Sequence, residues 1–221
     1  MNRSDWLHKM RLDAEMNYSN LWAPNYGEKW GTYPNTSHQQ FIRKILNLLE
    51  PNSTVLDAAC GAGRYMSFLL DAGHTVIGID QAQGMLSQAK KKFPNVQTEQ
   101  VGLQEMSFMN VFDGVICMDA LEHVCPEDWM RILENFHRAL KPKGYLYFTV
   151  EVADAGEVED AFQQAQRAEL PVVHGEWVND GVYHYYPTME QVRVWSGEAG
   201  FDPLEEGEGD GYHHFLMQRR D

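Results

Sequence analysis

Apolar positions along the chain follow two periods, and the switches between them mark out most of the elements. From residue 54, "TVLDAA" is a short, nearly continuous apolar run, which predicts a strand covered on both faces. "RYMSFLLDA" then shows helical spacing, "TVIGID" predicts a strand and "GMLSQAKKKF" a helix. "NVQTEQV" and "VFDGVICM" predict strands, and "PEDWMRILENFHRALK" is an amphipathic helix with Pro126 in its first turn. "GYLYFTV" predicts a further strand. Repeated βα units of this length imply an α/β fold: a doubly wound, mostly parallel sheet with right-handed crossovers and helices on both faces.

The flanking segments break this pattern. Residues 3–17 place Trp6, Leu7, Met10 and Ala14 at helical spacing. Residues 18–40, rich in Tyr, Trp, Gly and Pro, predict an ordered loop cap, and 37–50 a helix with Ser37 as N-cap. After Val150 comes a polar helical piece, "EVEDAFQQAQRAEL", and then "PVVHGEWVNDGVYHYYP". "TMEQVRVWSGEAGF" is a helix with Thr188 as N-cap and Gly200 as stop. The remainder predicts an antiparallel hairpin at the sheet edge. The expected organisation is an N-terminal cap over 1–40 and a cofactor-binding domain over 41–221 with a lid insertion at about 153–187.

Composition narrows the function. The 221 residues carry a formal net charge of −14, which disfavours nucleic acid, because binding to phosphates draws on Lys and Arg. The only basic cluster, Lys90, Lys91 and Lys92, falls at a predicted helix end, where cations complement the helix dipole. No apolar run is long enough to span a bilayer and the N-terminus lacks an apolar leader, so no membrane association is expected. Three cysteines give no disulfide framework and fit a cytoplasmic protein, expected as a monomer or homodimer. Their spacing gives no metal pattern, and none is expected.

The turn after the first strand, "DAACGAG", places Asp57, Ala59, Gly61 and Gly63 where ligands of open parallel sheets bind. Asp80 ends the second strand, where a carboxylate suits two ribose hydroxyls. A dinucleotide fingerprint needs a small third residue, but Met66 stands there, which disfavours a nicotinamide oxidoreductase. Asp57 would also sit badly beside a pyrophosphate. A carboxylate there suits a positively charged cofactor, and S-adenosylmethionine carries a sulfonium and an α-ammonium.

"VLDAACGAGRY" with "VIGIDQAQGML", "FDGVICMDALEHV" and "LENFHRALKPKGYLYFTVE" resembles the class I S-adenosylmethionine-dependent methyltransferases, a Rossmann-like family, over about residues 40–151. The resemblance implies that the loop Ala59–Gly63 lies against the methionine part and ribose of the cofactor, and that Asp57 supports that loop or meets the ammonium through water. It implies that Asp80 holds the ribose hydroxyls and that Gln81 and Met85 flank the adenine. Cys117 and Met118 would offer backbone carbonyls to the ammonium. Family members often carry an aspartate for the adenine amino group where this chain has Gly102; Leu103 is then expected on the ring, and Gln104 is the candidate substitute. Tyr33 in the cap is a further cofactor candidate.

Methyl transfer depends chiefly on aligning donor and acceptor, with a base needed only when the acceptor must lose a proton. Candidates for acceptor chemistry are His123 after the fourth strand, and His184 and Tyr186 in the aromatic patch of the insertion. No Asn/Asp-Pro-Pro-aromatic motif follows the fourth strand, which with the acidic charge points to a small-molecule acceptor methylated on N or O. The alternative is a non-catalytic S-adenosylmethionine-binding or regulatory protein of the same fold.

Overall fold

A computed structural model describes residues 1–29, 31, 35–179 and 182–221. Strands β1 (Thr54–Ala58), β2 (Thr75–Asp80), β3 (Gln97–Gln100), β4 (Phe112–Cys117) and β5 (Leu140–Glu151) are mutually parallel. They join β8 (Phe201–Gly209) and β9 (Tyr212–Arg219) in one seven-stranded sheet of order β3-β2-β1-β4-β5-β9-β8. The last two form the expected antiparallel hairpin, turned at Asp210 and Gly211, both with positive φ. β9 pairs antiparallel with β5, which leaves β8 at the edge.

Side-chain alternation explains why the central strands read as unbroken apolar runs. Leu56, Val115, Leu146 and Phe148 join one core with Trp129, Ile132, Leu133 and Phe136 of α6 (Pro126–Ala139). Their neighbours Val55, Ile116 and Tyr147 join the opposite core with Phe41, Ile42 and Ile45 of α3 (Thr36–Leu48) and Met66 and Leu69 of α4 (Met66–Asp71). Each fully buried aliphatic or aromatic side chain contributes about 1.5–3 kcal/mol. Two cores on the two faces therefore hold the sheet between helical layers. The helices α5 (Gln83–Lys92), α7 (Ala155–Arg167) and α8 (Met189–Glu198) complete the layers. Thr188 caps α8 in a full capping box with Gln191, as its sequence predicts.

The cap departs from expectation. After α1 (Arg3–Met16), a π-helical turn (Asn17–Trp22), a 3₁₀ turn (Ala23–Asn25) and α2 (Tyr26–Lys29) continue the helix where a loop is expected. Pro24 stands in the first 3₁₀ turn, where its missing N–H costs nothing, so it does not break the run. Tyr18 packs edge-on against Trp22 one turn later, with ring centres 4.5 Å apart. Asn35, not Ser37, caps α3: its side chain accepts the His38 N–H, while the Ser37 N–H is taken by Asp210.

Strands β6 (Glu176–Asn179) and β7 (Val182–Tyr185) pair as a separate antiparallel ribbon. Glu176 anchors it. This fully buried carboxylate accepts from the Arg3 guanidinium at 2.7 and 2.9 Å, from the Tyr183 hydroxyl at 2.5 Å and from the Val173 N–H at 2.6 Å. Among the described residues no helix is long and apolar enough to cross a membrane.

Candidate active site

Chain order reverses between β1 and β4: β2 and β3 lie to one side, β4 and β5 to the other. Open parallel sheets bind ligands outside this switch point. A cleft opens here, with about 840 Å³ of space including its mouth. The backbone around it is strained. Ala59 after β1 and Asp119 after β4 both have positive φ (55° and 54°), costing about 1–2 kcal/mol each for residues with a Cβ. Hydrogen bonds hold these conformations: Cys60 N–H to the Ile79 carbonyl at 2.8 Å, and Asp119 N–H to Thr149 Oγ1 at 2.9 Å. Gly61 and Gly63 turn the chain with φ of 53° and 74°, and a Cβ on Gly61 would stand 3.1 Å from Met85 Cε.

Two carboxyl groups stand at one end. Asp80 is held in place, with Oδ2 accepting the Gly61 N–H at 2.9 Å and Oδ1 the Ala82 N–H at 2.7 Å. Burial still raises its pKa to about 6, against the pull of those two donors. Asp57, 3% exposed, keeps Oδ2 without a hydrogen-bond partner among the described residues. Burial, and then the neighbouring Asp80, push its pKa up to about 8. A bare buried carboxyl of this kind is suited to meet a positive ligand group.

Of the residues expected at the cofactor, Ala59, Gly61, Asp80, Gln81, Met85, Leu103 and Gln104 line the cleft together. Asp57, Gly63, Cys117 and Met118 are not among its lining residues, and Asp57, Cys117 and Met118 are buried. Tyr33 lies outside the described residues. Gly102, expected where the adenine aspartate is missing, also lines it, and Arg11, Tyr18, Val101, Asp119 and Ala120 line it without having been singled out. Tyr18 comes from the cap, docked because Gly84 lets the Ser19 backbone approach: a Cβ there would fall 2.1 Å from the Ser19 carbonyl oxygen. At Gly102 a Cβ would lie 2.5 Å from Glu105 Oε2 and 2.6 Å from an Arg11 guanidinium nitrogen. An Arg11–Glu105 ion pair thus fills the place of the expected aspartate. The Gln104 amide donates to Asp128 at 3.3 Å, which leaves its oxygen available.

At the other end lies His123, on a 3₁₀ turn (Leu121–His123) after β4. Its Nδ1 is 3.0 Å from the Tyr183 carbonyl oxygen, which can only accept, so Nδ1 carries the proton. Nε2 is then the lone-pair nitrogen and accepts from the Tyr18 hydroxyl at 2.8 Å. Burial lowers the His123 pKa, so the ring is neutral near pH 7. His184 packs against it with ring centres 4.9 Å apart; burial, and then His123, lower its pKa to about 4. Tyr186 stacks on His184 at 5.9 Å and donates to Glu151 at 3.2 Å. The three candidates for acceptor chemistry are thereby brought into one cluster, of which His123 alone lines the cleft. Asp119 is saturated: it faces His38 Nε2 at 2.5 Å and accepts from Arg64 at 3.2 Å and Tyr65 at 3.0 Å. Among the described residues no group of three or more His, Cys, Asp or Glu could hold a metal ion.

Known proteins agree with this architecture. The family model described as "Methyltransferase domain" matches residues 55–144. A Bacillus subtilis protein described as a methyltransferase, YqeM, is 34% identical over 179 residues, 76% of this chain and 71% of that one. A ubiquinone biosynthesis O-methyltransferase of Hydrogenovibrio crunogenus is 28% identical over 153 residues, covering 64% of this chain and 62% of the relative. Among solved structures, Burkholderia thailandensis 1,6-didemethyltoxoflavin-N1-methyltransferase, with its substrate and S-adenosylhomocysteine bound, superposes with a TM-score of 0.72 at 17% identity, over 97% of this chain and 90% of that one.

Proposed function

The chain belongs to the S-adenosylmethionine-dependent methyltransferases, and on that premise we propose that it methylates a nitrogen or oxygen of a small-molecule acceptor. When bound, S-adenosylmethionine supplies a methyl group activated on a positively charged sulfur. The residues fit this cofactor. The unpartnered Asp57 oxygen suits its positive end, and the sharp Ala59–Gly63 turn lets the backbone come close. Asp80, oriented by Gly61 and Ala82, holds the ribose hydroxyls. Gln81, Met85 and Leu103 hold the adenine, and the Gln104 oxygen accepts from its amino group in place of the aspartate that Gly102 lacks. Cys117 and Met118 shape the wall behind the ammonium.

His123 acts on the acceptor. Its protonated Nδ1 is fixed by a backbone carbonyl, so Nε2 is the atom that takes a proton, with the Tyr18 hydroxyl at 2.8 Å as its orienting neighbour. His184 and Tyr186 shape the acceptor wall from the ribbon, and segment 153–187 acts as a lid that excludes water during transfer. The observation that carries the reading is this polarity within one cleft: the Asp80 carboxyl after β2, and after β4 a neutral histidine whose Nε2 meets the Tyr18 hydroxyl. The test is S-adenosylhomocysteine formation with a panel of small amines, phenols and carboxylates, and with RNA as a comparison. Turnover on a small acceptor supports the proposal. Turnover on RNA alone, or cofactor binding with no turnover on any of them, refutes it.

A further inference from the structure

We propose that the acceptor is an amine, recognised in its ammonium form by Glu122 and Glu151 at the ribbon end of the cleft; this rests on the methyltransferase reading above. Glu122 is 4% exposed, and its Oε2 has no hydrogen-bond partner among the described residues. Its Oε1 lies 3.9 Å from the His123 Nε2, so the side chain stands at the group assigned to the acceptor. A carboxyl buried without a partner costs stability, and its retention points to a ligand that supplies the missing donor.

The ligand's charge follows from what surrounds this carboxyl. Burial, then Glu151 and Asp119, raise its proton affinity, and among the described residues no cationic side chain counts among the groups acting on it. Glu151 likewise feels burial and Asp119, relieved by the Tyr186 hydroxyl alone. Asp119 differs, because Arg64 already meets its charge and His38 and Tyr65 lie within hydrogen-bond distance of it. Two carboxyls without a cation among the groups acting on them thus lie within electrostatic reach of each other, and one ammonium would offset one of the two charges and relieve their repulsion. The nearby rings reinforce this choice: Tyr186 is bonded to Glu151, and Tyr212 senses Glu122 more strongly than any other charge. Aromatic faces attract cations, and the histidines on this side are held neutral and do not repel one. An alcohol would leave the carboxyls unmatched, and a carboxylate acceptor would be repelled. To accept a methyl group the ammonium must lose one proton, which passes to the neighbouring His123 Nε2, the base assigned above, and leaves a lone pair on nitrogen.

The test is calorimetric titration of S-adenosylhomocysteine-saturated protein with phenethylamine, phenethyl alcohol and phenylacetate, three probes of like size that differ in the head group. The amine is expected to bind at least about tenfold more tightly than either of the others, as one lost hydrogen bond to a charged group implies. Glu122→Gln and, independently, Glu151→Gln should each weaken the amine about tenfold and narrow its margin over the alcohol, with S-adenosylhomocysteine affinity showing that each variant is folded. Saturable S-adenosylhomocysteine binding with no preference for the amine, no binding by any probe, or an amine preference retained by both variants would overturn this proposal alone. Failure of the parent protein to bind S-adenosylhomocysteine would overturn the cofactor reading and this proposal with it.

Discussion

Asp57 makes cofactor binding depend on pH in a way that can be calculated. Burial and Asp80 raise its pKa to about 8 in the ligand-free fold, from an ordinary value of 3.8. About 1 in 100 molecules carries the charged form at about pH 6, and about 1 in 4 at about pH 7.5. A ligand whose ammonium requires that charge should therefore bind about 25-fold more tightly at the higher pH. Asp57→Asn removes the titration while keeping the shape, so its affinity should be lower near pH 7.5 and nearly flat with pH. The assay is isothermal titration with S-adenosylhomocysteine in buffers of differing ionisation enthalpy, which also counts the protons released. An affinity that is flat or falls with rising pH in the parent protein would refute the assignment of Asp57 to the positive end of the cofactor.

The stability of the ligand-free protein gives an independent check with a definite sign. A carboxyl whose folded pKa is raised favours folding at low pH, and that contribution is lost as pH climbs from the unfolded to the folded value. From about pH 6.5 to about pH 7.5, Asp57 should cost the fold about 1 kcal/mol. The window lies at and above the ordinary histidine pKa, because His184 and His214, both lowered to about 4, destabilise the fold only as pH falls below it. Urea unfolding of the parent and of Asp57→Asn should therefore diverge as pH rises, and parallel curves would contradict the buried, unpaired description of this group.

Other positions give sharper local tests. Asp80→Ala should weaken S-adenosylhomocysteine at least about tenfold by calorimetry, since it removes an acceptor of charge-assisted hydrogen bonds; unchanged affinity would place the ribose elsewhere. Tyr18→Phe removes the O–H donor that favours neutral His123, so the acidic limb of the kcat/KM profile should move to higher pH by up to about one unit, and an unmoved limb would exclude Nε2 as the base. Asn135 donates to the Leu103 and Gln104 carbonyls at 2.8 and 3.2 Å from a buried position on α6. Asn135→Ala should cost about 1–3 kcal/mol in urea unfolding and also loosen cofactor binding, and a loss of stability without a loss of affinity would separate that wall from the site.

How legible the site was in sequence depended on how each residue reaches it. Asp57, Ala59, Gly61 and Asp80 sit at strand ends, where the fold fixes their place once the βα pattern is read. Glu122 stood beside His123 in "LEHV", but that a carboxyl there would be buried with a free oxygen depends on the ribbon packed over it. Tyr18 and Arg11 enter through docking of the N-terminal helices, and no local pattern encodes that docking. Gly and Pro in the cap suggest loop, but Pro24 occupies a permissive first turn and Gly27 a short helix, so that stretch is helical. The lost adenine aspartate was visible as Gly102; its reason, the Arg11–Glu105 pair occupying the space, was not.

Tyr183 of the ribbon and Tyr18 of the cap each hold one ring nitrogen of His123. Tyr183 donates its hydroxyl to Glu176, the fully buried carboxylate that Arg3 of α1 also grips, and its carbonyl accepts the His123 Nδ1 proton. Its ring packs edge-on against Trp6 of α1 at 5.8 Å. The same α1 segment runs on to Tyr18, whose hydroxyl meets the other nitrogen of His123. Both ring nitrogens are thus oriented by elements that the Arg3–Glu176 contact holds together. Arg3 is partly exposed and Glu176 keeps the Tyr183 and Val173 donors, so replacing Arg3 should cost less than the about 3–5 kcal/mol of a fully buried pair. On the proposal that His123 is the base, loosening this contact should release its tautomer and its aim together.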